Sequence, residues 1–401
     1  IRNLMAQRVA LAQAARPIPV THFEPLPDTA GVIEPVPDTP GTPLVTIVIP
    51  CFNDGHYVRE ALASALAQTF TDIEVIVVDG GSTDGTTPDI VAALAGPRVR
   101  ALIRTDGRHY VGDNRNFGIA ATESRYICCL DSDDVLEPTY IEKVLFQLEY
   151  RGFDVGSASM RMFGASTGEW RVPAQPTLDD FMLGNQTLVC SIFRRSLWAV
   201  AGGYRDTGLG RDLVAEDWDL WFRMAARGAR FSNVHREMLL NYRIREVGQA
   251  MSTHPDRPSW SEQGLSIQRR NVALLTEEAR ALSRRQAARV LRPKHGEVAM
   301  RLAMRRATEA ARRPTLLLAI PFFVVGGAER LLSTVVGGLV ADGWRVVVVS
   351  TEFDAPQGGD SLPWFAAHTA ECYALPRFLP PEDWQDFLDY LLGSRTPDAL
   401  L

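Results

Sequence analysis

Tyr126-Ile127-Cys128-Cys129-Leu130-Asp131-Ser132-Asp133-Asp134 is the stretch that decides the fold. Tyr126–Leu130 is an apolar run with an aromatic and a β-branched residue, long enough for one buried strand. It stops in three carboxylates, Asp131, Asp133 and Asp134. Residues two apart on an extended chain point the same way, so Asp131 and Asp133 can aim at one spot. Carboxylates crowded like that repel unless something positive lies between them. A divalent cation carrying a diphosphate meets that need, because Mg²⁺ takes a carboxylate or two plus phosphate oxygens. Taken alone, the stretch reads equally well as a solvated acidic turn with an Asp capping a helix at Glu137-Pro138.

The flanking sequence separates the two readings. Leu44–Pro50 reads as a buried strand, followed by the turn Cys51-Phe52-Asn53-Asp54-Gly55 and a helix over 57–69. A second strand, Asp72–Asp79, ends in Asp79-Gly80-Gly81-Ser82-Thr83-Asp84-Gly85, and Thr87-Pro88 opens a helix with Pro at its first position. A strand over Arg98–Arg104 and a helix over Asp113–Thr122 precede the central strand, and a helix from Pro138 to Tyr150 follows it. Such alternation implies a parallel sheet covered on both faces. Ligands of such sheets sit at the carboxyl ends of the strands, where Asn53, Asp79 and Asp131 all fall. Three polar residues so placed point to a nucleotide-type pocket.

Further along, 154–171 is strand-like and turn-rich, Leu188–Phe193 reads as a strand, and Gly202-Gly203-Tyr204 as a turn. A helix opens at Glu216-Asp217-Trp218-Asp219 and ends near Gly228, a C-cap. Strands follow near 230–234 and 238–243, up to Tyr242-Arg243-Ile244-Arg245, and 246–258 reads as loop. Residues 260–313 are Ala- and Arg-rich with helical periodicity, which reads as a solvated connector; docking on an anionic membrane surface is the less favoured reading. At Thr315 the α/β pattern restarts, with a strand over Leu316–Val325, a glycine turn at Gly326-Gly327 into a helix, and a strand over Trp344–Ser350. The expected division is a short helix and Pro-rich linker over 1–43, an α/β domain over 44–258, a basic helical connector over 259–313, and a partial Rossmann-like domain over 314–401.

The chain has 401 residues, 46% hydrophobic and 22% charged, with a net charge of −6. No basic patch alternates with aromatic residues, so nucleic-acid binding is not expected. Cys51, Cys128, Cys129, Cys190 and Cys372 show no metal-ligand spacing, and the pair in the apolar strand reads as buried hydrophobes in a reducing cytosol. No apolar run reaches the about 18 residues of a membrane span. A cytoplasmic protein, peripheral at the inner face of the membrane at most, is the expectation. The missing initial Met suggests a piece of a longer chain.

Six segments together resemble family 2 glycosyltransferases of the GT-A fold over 44–255. They are Val45–Asn53, Glu74–Asp79 with Gly81–Thr86, Arg115–Ala120, Leu130–Asp134, Gly202-Gly203-Tyr204 and Glu216–Trp221. The resemblance implies a nucleotide-diphospho-sugar donor and an acceptor hydroxyl on a glycan, lipid-linked glycan or protein. It implies that Pro50, Phe52 and Asn53 shape the nucleotide pocket and that Asp79 reaches the base or ribose. Asp131 and Asp133, with Ser132 between them, match an Asp-x-Asp that holds Mg²⁺ or Mn²⁺ on the diphosphate, and Asp217 matches the base of an inverting displacement. Two departures are visible: Gly80 stands where many members have a second Asp, and Arg245 where many have His. Arg245 cannot ligate a metal but can pair with the diphosphate; Arg115 is a second candidate phosphate contact or a solvated helix residue. Residues 314–401 resemble the amino-terminal half of family 4 glycosyltransferases of the GT-B fold, through Ile320-Pro321, Gly326–Arg330 and Ala341–Val346.

The residues themselves agree with a base at position 217. Asp217 sits in a first helical turn, where the dipole favours a carboxylate, on one face with Leu220, Trp221 and Met224. Asp219 and Arg223, four apart, read as a surface ion pair, and Trp218 reads as core or as a platform for an acceptor sugar. The expectation is a metal-dependent inverting glycosyltransferase of bacterial surface polysaccharide or glycoconjugate synthesis, in a bifunctional, truncated chain. A sugar-phosphate nucleotidyltransferase would want a basic glycine-rich loop after the first strand, which Cys51–Gly55 is not. A non-catalytic nucleotide-sugar-binding domain is the other alternative, against which the intact Asp131, Asp133 and Asp217 speak.

Overall fold

The computed structural model describes residues 41–106, 110–205, 214–246, 258–289, 296–306, 313–352 and 358–401. The helix and linker expected over 1–40, and the loop expected over 247–257, lie outside the described residues. Strands β1 (Val45–Cys51), β2 (Ile73–Asp79), β3 (Val99–Ile103) and β4 (Tyr126–Cys129) run parallel in the order β3-β2-β1-β4. Between them come helices α1 (Val58–Leu66), α2 (Thr87–Ala92) and α3 (Val111–Ala120). β1, β2 and β4 are buried along nearly their whole length, so this part of the sheet must be covered on both faces, while the edge strand β3 is partly exposed. Val45, Ile47, Ile49, Tyr126 and Cys128 enter one core, while Val48, Ile76, Val78, Ile127 and Cys129 enter the other. That period of two is the pleat made visible. Gly118 on α3 lies so close to β1 that a Cβ there would stand 2.5 Å from Val48 Cγ1.

Beyond β4 the sheet becomes mixed and curls, with antiparallel pairs beside one further long parallel pair. It continues through β8 (Ile192–Arg194), β6 (Val155–Gly164), β9 (Phe231–Ile244) and β5 (Val135–Leu136), with β7 (Gly168–Trp170) on β6. The two strands expected near 230–234 and 238–243 are one. The partner register jumps from Val234 to Met238 opposite Ala158 and Ser159, so His235–Glu237 bulge out of a continuous strand. Ser159 Oγ donates to the His235 carbonyl at 2.9 Å and holds the bulge. The strand expected from Leu188 begins only at Ile192, because Ser191 N turns back to the Leu188 carbonyl at 3.1 Å. Helices α4 (Tyr140–Arg151), α5 (Leu178–Phe181), α6 (Arg195–Ala201) and α7 (Glu216–Ala226) complete this layer.

Helices α8 (Trp260–Arg270), α9 (Glu277–Ala288) and α10 (Glu297–Arg306) follow. The expected solvated connector is corrected for α10, whose arginines turn inward, while Arg269, Arg284 and Arg285 of the preceding helices stay exposed. Arg305 pairs with Asp72 at 2.8 Å, Arg301 with Glu149, and buried Arg306 donates to the Thr69 carbonyl at 2.8 Å. The second sheet is fully parallel, in the order β12 (Cys372–Ala374), β11 (Arg345–Ser350), β10 (Thr315–Ile320), β13 (Ala399–Leu400). Helix α11 (Gly327–Ala341) covers one face. From the other face Leu317, Val347 and Val349 join the core of the first sheet, so the two sheets share apolar contacts.

Candidate active site

The carboxyl ends of β1 and β4 and the first turns of α3 and α7 surround one cavity of about 840 Å³. Pro50, Phe52, Arg115, Asp131, Ser132, Asp133, Asp217 and Arg245 all line it, although they come from five separate segments. Asp131 and Asp133 both line it, although 131–134 is a turn closed by Asp134 N on the Asp131 carbonyl at 3.2 Å and not the extended chain expected from their spacing. The helix after them begins at Tyr140, with Thr139 at its N-cap position, so these carboxylates are not its cap. Asp134 points the other way. It is buried, and its Oδ1 accepts from Arg243 N at 2.9 Å. Burial, and then the charges of Asp131 and Asp133, push its carboxyl well above the ordinary range. Burial also raises Asp133, with Asp131 adding to it and Arg245 opposing it.

Two arginines answer this charge. Arg115, which could have been a solvated helix residue, is buried and donates to Asp131 at 2.6 Å and to Glu216. It therefore ties the end of β4 to the start of α7. Arg245 donates through Nε to Asp133 at 2.6 Å and forks onto Asp54 at 2.8 and 2.9 Å. Asp54 and Asn185 were not legible as site residues: each is a polar residue in a loop, with no spacing to mark it.

Asp217 sits between these groups and the apolar wall. Its Oδ2 accepts from Asn185 Nδ2 at 2.9 Å and its Oδ1 from Trp218 N at 2.7 Å. Burial, with the neighbouring Glu216 charge, pushes its carboxyl up to about 7. The helix N-terminus alone would favour the ionised form; here the protein surroundings outweigh it. A carboxyl poised near neutrality is what a general base needs. Trp218 is core, its Nε1 donating to the Phe181 carbonyl at 2.8 Å. Asp219 and Arg223 form a buried pair at 2.9 Å, not the expected surface pair, because the helix packs that face under α6. Part of the cavity lining is apolar. Met160 pairs with Trp170 and with Leu240, and Met162 with Tyr242, in one cross-strand patch, with Trp260 beside it.

Asn53 and Asp79 do not line the cavity. Asn53 adopts a left-handed φ of 56° and accepts from Thr83 N at 2.8 Å and Asp84 N at 3.2 Å. Asp79 accepts from Gly81 N at 3.2 Å and from the Ser82 hydroxyl at 2.5 Å. Both shape the two turns that frame the pocket. Gly80 has a local reason: a Cβ there would stand 2.2 Å from Asn114 Nδ2, so the Asn114 amide fills the space a second Asp would take. Asn114 lines the cavity and is held by Arg104 Nη1 at 2.8 Å. Cys51 also lines it, but burial pushes its thiol up to about 12, so it is no nucleophile.

Among the described residues no group of three or more His, Cys, Asp or Glu is arranged to hold a metal unaided. Asp131 and Asp133 fit a hard divalent cation as a pair of oxygen donors, provided diphosphate oxygens complete the shell. Burial is the main cause that raises Asp133 and Asp134, and the mutual repulsion of the carboxylates that adds to it is what such a cation would relieve.

Sheet order, covering helices and strand-end carboxylates define a GT-A-like glycosyltransferase fold. Residues 46–198 match the family described as Glycosyl transferase family 2, so the chain contains a domain of that family. The succinoglycan biosynthesis protein ExoO of Rhizobium meliloti (strain 1021) is 37% identical over 153 residues, 36% of this chain and 43% of the relative. An uncharacterized glycosyltransferase of Rickettsia prowazekii (strain Madrid E) is 30% identical over 221 residues, 51% of this chain and 64% of the relative. The chain thus spans less than two thirds of either relative. The crystal structure of S. aureus TarS 1-349 in complex with UDP-GlcNAc aligns over 87% of this chain and 81% of its own, at 14% identity and a TM-score of 0.45. No helix among the described residues is long and apolar enough to cross a membrane.

Proposed function

We propose that this chain is a metal-dependent, inverting glycosyltransferase that moves a sugar from a nucleotide-diphospho-sugar to an acceptor hydroxyl in surface polysaccharide or glycoconjugate synthesis. The observation that carries the reading is that Asp131, Asp133 and Asp217 face one cavity from different elements. Asp131 and Asp133 would hold Mg²⁺ or Mn²⁺, which when bound neutralises the diphosphate. Pro50 and Phe52 bound the nucleotide end of the cavity, with Asn114 behind them. Asp217 takes the proton of the acceptor hydroxyl as its oxygen bonds to the anomeric carbon. The bond from that carbon to the diphosphate oxygen breaks in the same displacement, and the configuration inverts. Asn185 orients the base by donating to its Oδ2. The apolar patch at Trp170, Met160 and Met162 excludes water from the acceptor side, which limits hydrolysis of the donor.

The test is nucleoside diphosphate release by the full chain from a panel of nucleotide sugars, with metal or chelator, beside Asp217→Asn. Release from one donor, lost with chelator and reduced on the order of 10²–10⁴-fold in the variant, supports the reading. Binding of donors with no release across a broad acceptor panel supports a non-catalytic nucleotide-sugar-binding domain instead.

A further inference from the structure

We infer that Asp54 is a positioning residue, whose carboxylate aims Arg245 at the diphosphate of the donor. This rests on the reading of the cavity as a nucleotide-diphospho-sugar site. Asp54 lies in the turn after β1, Arg245 directly after β9 and Asp133 in the turn after β4. Three segments far apart in sequence therefore meet at one guanidinium.

The geometry is that of a clamp. Arg245 Nη1 and Nη2 donate to the two Asp54 oxygens at 2.8 and 2.9 Å, the planar fork that a carboxylate matches best. Nε donates to Asp133 Oδ2 at 2.6 Å, and the guanidinium lies 4.6 Å from the Tyr57 ring centroid. The Ser132 hydroxyl donates to Asp54 at 3.1 Å, fixing the carboxylate in turn. Asp54 is itself largely buried, so this pair is not a screened surface contact. Three directions of the guanidinium are set, and each Nη keeps an N–H with no partner among the described residues. Arg245 lines the cavity together with Asp131 and Asp133. An arginine already ordered in this way loses little side-chain freedom when an anion arrives.

Asp54 is an unexpected residue at such a place. A carboxylate beside an anion site should weaken anion binding by repulsion. If its function is to hold Arg245, its removal should weaken binding instead. That opposition of sign makes the inference testable. The probe is inorganic pyrophosphate with Mg²⁺, which reports the diphosphate site whatever the base, titrated calorimetrically into the full chain. Asp54→Asn is expected to weaken binding about tenfold, the change that one charge-assisted contact of about 1.4 kcal/mol makes. Arg245→Met should weaken it at least as much, and the double variant no more than Arg245→Met alone. Arg245→Lys keeps the charge and loses the fork, so it should not restore binding. Unchanged or tighter binding in Asp54→Asn, with wild type binding pyrophosphate and nucleoside diphosphates, overturns the role of Asp54 and leaves the donor reading standing. Wild type that binds neither probe overturns both.

Discussion

Asp217 couples two effects that sequence alone sets against each other. Its place in a first helical turn favours ionisation, while burial and Glu216 raise its carboxyl to about 7. In the proposed role of base it must be ionised, so kcat/KM should rise with pH and level off above an inflection near 7. Asn185→Ala removes a donor to the ionised form and should move that inflection upward, measured as a full pH–rate profile. The same shift bears on stability. Between the ordinary carboxyl range and about 7 the folded chain holds a proton that the unfolded chain releases, so this contribution is present at acid pH and lost as pH rises through about 7. Asp217→Asn should therefore raise Tm at pH 8 more than at pH 5. Asp131, Asp133 and Asp217 were legible because each sits at a strand end or a helix start. Asp54 and Asn185 were not, since their roles depend on partners 191 and 32 residues away.

At the scale of elements, α7 shows why a surface pair and a buried pair cannot be told apart from spacing. Asp219 and Arg223 are four apart in either case. Here Arg223 also donates to the carbonyls of Ala201 and Gly203, and Asp219 accepts from Asn271 at 2.8 Å. The pair fastens α7 to the turn after α6 and to the end of α8. Arg223→Met leaves the buried Asp219 carboxylate with Asn271 but without its counter-charge, takes the guanidinium donors from two carbonyls, and should cost about 3–5 kcal/mol in urea denaturation. Helices, strands and their order up to β4 were legible because apolar runs and turn residues mark them. The bulge in β9 and the late start of β8 were not, because hydrogen bonds to other strands and turns create them.

For the whole molecule, the decisive contact is Glu142 on α4. Its buried carboxylate accepts from Arg395 at 2.6 and 2.8 Å, from Thr69 at 2.6 Å, and from the hydroxyls of Tyr373 and Tyr390. Burial alone would raise it, yet Arg395 and Arg306 hold it well below the usual carboxylate range. Its contribution is thus present above the ordinary carboxyl pKa and lost as pH falls through the depressed value. Glu142→Gln should destabilise the chain by about 3–5 kcal/mol, with amides of 315–400 exchanging before those of the first sheet. Equal exchange in both sheets would show that the apolar contact between them suffices without the ion pairs.

The sequence by itself determined the alternation of strands and helices, the two-sided burial of the first sheet and the carboxylates at the end of β4. Those follow from local periodicity and from residues whose partners lie close in the chain. Only the tertiary structure decided that the sheet turns mixed beyond β4, that Arg115 is buried between Asp131 and Glu216, and that the arginines of α10 turn inward. It also decided that Asp54, Arg245 and Asp133 form one cluster. Charge on a side chain says nothing of burial until its counter-charge is placed, and here that counter-charge comes from residues distant in the chain.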